Sequence, residues 1–258
     1  MPELPDVEGF RRTFAKYATG KTVRSVRWID STMLRDTTPG RLVRILRGAR
    51  FLEPQRQGKL LICFTDGTAV LLLHFGMTGT FVWCRSEARH PHDRLALEFD
   101  DGQLRYRNMR KFGGIWIARS EAELDRLRGR LGPDWLSVSR SEFQSLLEGR
   151  RASIKAVLLD QSVAAGLGNL TADEALWQAR IDPVRPASSL DADECRTLYR
   201  KIQKVLRDSI PYGLVPAKRT WLTGARLGRD AACPRCGERL RRRQVAGRTT
   251  YSCPREQV

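Results

Sequence analysis

Apolar residues at Val7, Phe10, Phe14 and Tyr17 recur at three- and four-residue steps until Gly20 interrupts them, with Pro5 one turn ahead. This spacing predicts an amphipathic helix that carries Pro2 and Glu3 at its front end. From residue 21 to about 118 the pattern changes to short β-rich runs over 22–29, 43–52, 60–64, 69–74, 95–99, 104–107 and 115–118. Asp66-Gly67 and Asp101-Gly102 read as hairpin turns between them. Strands that follow one another without intervening helices predict an antiparallel sandwich or barrel rather than a doubly wound sheet. Beyond about 120 the period becomes helical, near 121–130, 140–149, 151–161, 168–179 and 191–209, which predicts a second, all-α part. Residues 210–232 read as a connector, and the last 26 residues as a cysteine-bearing β-hairpin.

Charge adds a partner to this outline. Lys and Arg number 46 against 29 Asp and Glu, a net +17, and the basic residues are interleaved with apolar segments rather than gathered in a tail. A polyanion is the expected partner. The chain shows no run of 18 apolar residues and no signal-peptide pattern, so a soluble intracellular protein is expected. Of six cysteines, Cys63, Cys84 and Cys195 stand alone in apolar or helical contexts and are expected to be buried reduced thiols.

Four stretches carry candidate chemistry. Removal of Met1 would make Pro2 the terminus, and a secondary amine with a pKa of ~8 is about one tenth neutral and nucleophilic at pH 7. Met77 and Phe112 stand beside glycines, where loop positions outweigh core positions. Gly166-Leu167-Gly168-Asn169 lies between two helical patterns, and its glycines are expected to expose backbone amides to phosphate. Cys233-Pro-Arg-Cys236 and Cys253-Pro-Arg-Glu256 are two knuckles at zinc-finger separation with a carboxylate in the fourth place. A zinc site of three cysteines and one glutamate and a hairpin held by packing alone both remain open.

Pro2-Glu-Leu-Pro-Asp-Val-Glu8 resembles the amino terminus of the formamidopyrimidine-DNA glycosylase and endonuclease VIII family, in its formamidopyrimidine branch, with Asp6 where that branch has Glu. The resemblance continues in order through Gln57-Gly58-Lys59, His74-Phe-Gly-Met77-Thr-Gly79, Asn108-Met-Arg110-Lys-Phe112-Gly113, the 160–174 segment and Gly247-Arg248-Thr-Thr-Tyr251. It implies an N-terminal helix with a β-sandwich over 1–120, a helix-two-turns-helix domain over 121–225 and a zinc-finger-like hairpin over 226–258, with DNA crossing the cleft between the two halves. It further implies a monomeric base-excision repair enzyme of the cytoplasm and nucleoid, acting on damaged double-stranded DNA as glycosylase and β,δ-lyase. Pro2 would attack C1′, Glu3 would protonate the sugar, and Lys59 would contact the leaving phosphates. His74, Lys155, Asn169 and Arg248 would bind DNA, while Met77, Arg110 and Phe112 would fill the void left by a flipped base, with cytosine opposite. Cys233, Cys236, Cys253 and Glu256 would hold structural zinc, and catalysis would need no cofactor. The connector lacks the branch's capping loop for 8-oxoguanine. Endonuclease VIII-like specificity for oxidised pyrimidines, or a catalytically silent lesion binder, are the alternatives.

Overall fold

The computed structural model describes residues 1–129, 131–228 and 230–258, and divides into two compact units. Helix α1 (Leu4–Ala18) begins in the expected place. Asp6, in its first turn, accepts the Glu3 amide at 2.9 Å, so one orphan donor of the helix start is satisfied by a side chain three residues on. Residues 3–6 count with the second unit and Val7 onward with the first.

The first unit holds two four-stranded antiparallel sheets. One runs β1 (Ser25–Arg27), β6 (Asp93–Phe99), β7 (Gly102–Asn108), β5 (Gly79–Cys84); the other runs β2 (Gln55–Gln57), β3 (Leu60–Phe64), β4 (Val70–His74), β8 (Gly114–Ala118). Alternate residues Leu61 and Cys63, Leu71 and Leu73, Ile115 and Ile117 join Leu95, Leu97, Leu104 and Tyr106 of the other sheet in one core. The sandwich expectation therefore holds, because period-2 alternation turns one face of each sheet inward.

Three local expectations change. Residues 43–52 do not form a strand: α2 (Pro39–Leu46) occupies their first part, with Thr38 capping the Arg41 amide and Pro39 at the first helical position, and it buries Leu42 and Leu46. A β reading that starts at Val43 misses this Thr-Pro start signal. Strand β5 went unread, since Phe81-Val82-Trp83 is a continuous apolar run without alternation. Helix α3 (Glu121–Arg128), capped by Ser120, packs on β8 and so belongs to the first unit, not to the helices that follow. Arg130, the end of the expected 121–130 helix, lies outside the described residues.

The second unit contains α4 (Arg140–Leu147), α5 (Ile154–Leu159), α6 (Asn169–Ala179), α7 (Ala192–Ser209), α8 (Leu222–Ala225) and a hairpin of β9 (Arg241–Val245) and β10 (Arg248–Ser252). Capping boxes Ser139/Glu142 and Asp191/Glu194 start α4 and α7. Helix α6 is the hub: α5, α7, α8 and β10 all pack on it, and Thr171 through Gln178 are buried. The hairpin expected as a separate domain belongs to this unit, because Trp177 of α6, Leu222 of α8 and Leu240, Cys233 and Cys253 share one apolar cluster. The 210–232 connector is likewise built in, with Val215, Trp221 and Leu222 buried; Arg229 within it lies outside the described residues. Among the described residues, no helix is long and apolar enough to cross a membrane.

Candidate functional site

Pro2 is buried and Met1 ahead of it is exposed. Glu3, 2% exposed, directs its carboxylate at the start of α6. It accepts the amides of Gly168 (3.2 Å), Leu170 (2.8 Å) and Thr171 (3.0 Å) and the Thr171 hydroxyl (2.5 Å). These are the unpaired donors that every helix start presents. Gly168 is required sterically: a Cβ would lie 2.3 Å from Glu3 Cδ. The Gly-x-Gly segment was expected to offer its amides to phosphate. Instead the Gly168 amide serves the protein's own Glu3, and the Gly166 amide is taken by Gln161 Oε1 at 3.0 Å. Burial raises the Asp6 carboxyl to about 6 although the Glu3 amide bond opposes the shift.

In the first unit, Lys59 lies half-buried in the β2–β3 turn, and His74 ends β4. His74 Nδ1 accepts the Gly76 amide at 3.2 Å, while burial and then the Lys59 charge hold its imidazole below the usual range. A neutral ring with Nδ1 accepting leaves Nε2–H as a donor. Met77 is half-buried, whereas Arg110 and Phe112 are exposed, with the Arg110 guanidinium 5.0 Å from the Phe112 ring centre. Asn108 joins the two loops that carry them. Its side-chain amide donates to the Phe75 carbonyl (3.2 Å) and Tyr106 Oη (2.9 Å), and its carbonyl accepts from Thr78 Oγ1 (3.1 Å) and the Lys111 amide (2.9 Å). An aspartate at this position could not donate to Phe75. Gly76, at φ +60°, is required at the same junction, since a Cβ would lie 2.1 Å from the Phe112 carbonyl oxygen.

In the second unit, Asn169 donates to the Thr249 carbonyl at 2.8 Å, and its buried Oδ1 has no hydrogen-bond partner among the described residues. Arg248 is exposed at the start of β10. Lys155 differs from the surface contact expected of it. It is fully buried, 2.5 Å from both Asp173 Oδ1 and Thr250 Oγ1, so it ties α5 to α6 and the hairpin. Asp173 also accepts Arg226 at 3.0 Å. Burial pulls the Lys155 ammonium below its usual range and lifts the Asp173 carboxyl, and their contact opposes both shifts.

The six cysteines are free thiols, with Cys63 and Cys195 buried as expected and Cys84 only half-buried. Cys233, Cys236 and Cys253 place their sulfurs within 4.8 Å of one another. Thiolates bound at about 2.3 Å in a tetrahedron lie roughly 3.8 Å apart, and the 3.6 Å between Cys236 and Cys253 fits that spacing. The residues present therefore suit zinc at three positions. Glu256 is not part of this grouping; its buried Oε2 lies 3.4 and 3.8 Å from the Arg180 and Arg235 guanidiniums and has no hydrogen-bond partner among the described residues.

Sequence reasoning missed Thr171, Met109 and Asp173. Met109 is 54% exposed beside Arg110, a large apolar side chain at a loop tip that exposure alone reveals. Thr171 and Asp173 carried no signal, because helix positions with polar residues are usually solvated.

Residues 1–115 match the formamidopyrimidine-DNA glycosylase N-terminal domain and residues 131–217 its H2TH domain. The formamidopyrimidine-DNA glycosylases of Heliobacterium modesticaldum and Thermus thermophilus are each 39% identical to the chain, over 99% and 98% of it and 99% and 97% of their own lengths. Two solved Lactococcus lactis Fpg structures, one with DNA containing Fapy-dG and one with DNA containing an abasic site, superpose with TM-scores of 0.89 and 0.90 at 30% identity, covering 99% of both chains.

Proposed function

The chain belongs to the formamidopyrimidine-DNA glycosylase family, and on that premise we propose that it is a bifunctional glycosylase and abasic-site lyase for oxidised bases in duplex DNA. The observation that carries this reading is the Glu3 carboxylate, fixed by four donors immediately after Pro2. With Met1 removed, the Pro2 nitrogen attacks C1′ of a flipped nucleotide as Glu3 delivers a proton to the sugar ring oxygen. The C1′–O4′ bond opens to a hydroxyl and the C1′–base bond breaks, the base taking the proton that the Pro2 nitrogen loses, so that this nitrogen and C1′ are left joined as an iminium. The iminium acidifies C2′; loss of that proton expels the 3′ phosphate, and a second elimination expels the 5′ phosphate.

Other residues hold the substrate. Lys59, His74 Nε2, Asn169 and Arg248 contact phosphates, the last two on α6 and the hairpin that Lys155 braces from within. Met77, Arg110 and Phe112 occupy the hole left by the flipped base, offsetting an unstacking cost of a few kcal/mol. Arg110, a planar fork of donors, addresses the orphaned base, with cytosine preferred.

The connector favours a broad lesion range. It runs into α8, whose Thr223 amide donates at 3.0 Å to the buried Glu174, and Trp221 is committed to the core. Contacts that distinguish 8-oxoguanine are therefore weak, each missing one being worth on the order of 1 kcal/mol. Formamidopyrimidines, hydantoins and oxidised pyrimidines are excised in preference.

Borohydride reduction on an abasic duplex tests the central step. A covalent complex mapped to Pro2 and abolished by Pro2→Gly is expected. A mature protein that retains Met1, or trapping that persists in the variant, would reject Pro2 as the nucleophile, and a wild type that is not trapped at all would favour a silent lesion binder.

A further inference from the structure

We propose that Cys233, Cys236 and Cys253 form a three-thiolate zinc site whose fourth ligand is a small exogenous donor, water or a free thiol, and that Glu256 is an ion-pair residue rather than a ligand. Three observations lead there. The three sulfurs converge within 4.8 Å, and this grouping, taken over the described residues, does not include Glu256. The Glu256 carboxylate lies between two guanidiniums, Arg180 at the end of α6 and Arg235. Arg235 is itself fixed: it stacks 4.0 Å from the Trp177 ring centre and donates to the Trp177 and Gln178 carbonyls at 2.8 and 3.2 Å. Arg180 is two-thirds exposed and its pair contributes little, but the fixed Arg235 would lose its carboxylate if Glu256 turned to a metal, and an oxygen donor adds little to a soft thiolate site.

The turn after Cys253 also holds its shape without a fourth protein ligand. Gln257, 3% exposed, accepts the Cys253 amide at 2.8 Å and donates to the Ile181 carbonyl at 2.8 Å. Val258 exchanges backbone bonds with Arg180 and Asp182. In a four-cysteine finger the metal closes the second knuckle; here these bonds close it. On the first knuckle, the Trp177 indole donates to Cys233 Sγ at 3.4 Å, an outer contact that orients the sulfur. Structural zinc sites are usually closed, and a site with an exchangeable position is correspondingly labile.

The test uses the full-length protein stripped with a chelator and titrated with Zn(II) against a chromophoric competitor, and with Co(II) for its spectrum. Wild type is expected to bind one equivalent, with charge-transfer intensity of three thiolates and d–d bands that shift when free thiol is added. Glu256→Gln leaves the affinity within about twofold and the spectrum unchanged, while Cys236→Ser weakens binding more than a hundredfold. Glu256→Cys tightens binding and abolishes the response to added thiol, a gain that misfolding cannot mimic. A tenfold or greater loss in Glu256→Gln would make the carboxylate a ligand and overturn the proposal. So would wild-type protein that takes up no metal, or one whose bands ignore added thiol. None of these readouts depends on DNA chemistry, so they stand or fall separately from the glycosylase reading.

Discussion

Thr171 gives Glu3 two hydrogen bonds to one carboxylate oxygen, from its amide at 3.0 Å and its hydroxyl at 2.5 Å. Thr171→Val removes the hydroxyl and keeps the shape and the amide. A bond to a charged group contributes about 1.5 kcal/mol, so single-turnover base excision is expected to fall roughly tenfold, with cleavage of a preformed abasic site within about twofold. Glu3→Gln should abolish excision and spare abasic cleavage in the same way. Equal loss of both activities in either variant would contradict a role for Glu3 in opening the glycosidic bond.

Gly168→Ala tests the same junction sterically. Its Cβ would fall 2.3 Å from Glu3 Cδ, so either the α6 start or Glu3 must move. Overpacking of this kind costs about 1–3 kcal/mol, and excision should fall with it. Denaturant unfolding and single-turnover kinetics together check this; wild-type values in both would show that the contact is not tight.

Asp6 gives a pH signature. Its carboxyl is raised by burial from 3.8 to about 6 in the folded chain, so the folded state holds this proton more tightly than the unfolded state. The associated stability is fully present below about pH 4 and is lost as pH rises through about 6. Asp6→Asn has no such dependence. The melting temperature of the variant relative to wild type is therefore expected to climb from pH 4 to pH 7, and a flat difference would refute the shift.

The exposed loop residues should govern the partner base and leave folding alone. Arg110→Ala is expected to erase the preference for cytosine opposite the lesion, and Phe112→Ala and Met109→Ala to slow excision, each within about 0.5 kcal/mol of wild-type stability because these side chains face solvent. Asn108→Asp should instead lower stability, because the Phe75 carbonyl loses its donor. An unchanged opposite-base profile in Arg110→Ala would remove that residue from the recognition set.

Binding should weaken steeply with salt as counterions are released, and Arg248→Ala should reduce the log–log slope by about one while weakening all sequences alike. Fluorescence anisotropy over a salt series reads both. A slope untouched by the substitution would place Arg248 off the phosphates.

Much of this was legible in the chain. The helix behind Pro2, most sandwich strands, the α4 to α7 spans and the three-cysteine hairpin follow from period, caps and turn residues, which act over a few neighbours. Pro2, Glu3 and the Met77, Arg110 and Phe112 set were marked by motif order. What the chain did not reveal is who answers whom at long range. Lys155 reads as one more solvated helix lysine until Asp173 and Thr250, 18 and 95 residues away, are seen against it. The Gly168 amide reads as a phosphate donor until Glu3, 165 residues earlier, is found in its place. Glu256 reads as a possible fourth metal ligand, and no spacing along the chain announces Arg180 and Arg235, which the fold sets 3.4 and 3.8 Å from it. Local sequence fixes backbone conformation because its forces are short-ranged, whereas a buried charge or amide takes whichever partner tertiary packing brings within about 3 Å, and no spacing along the chain encodes that choice.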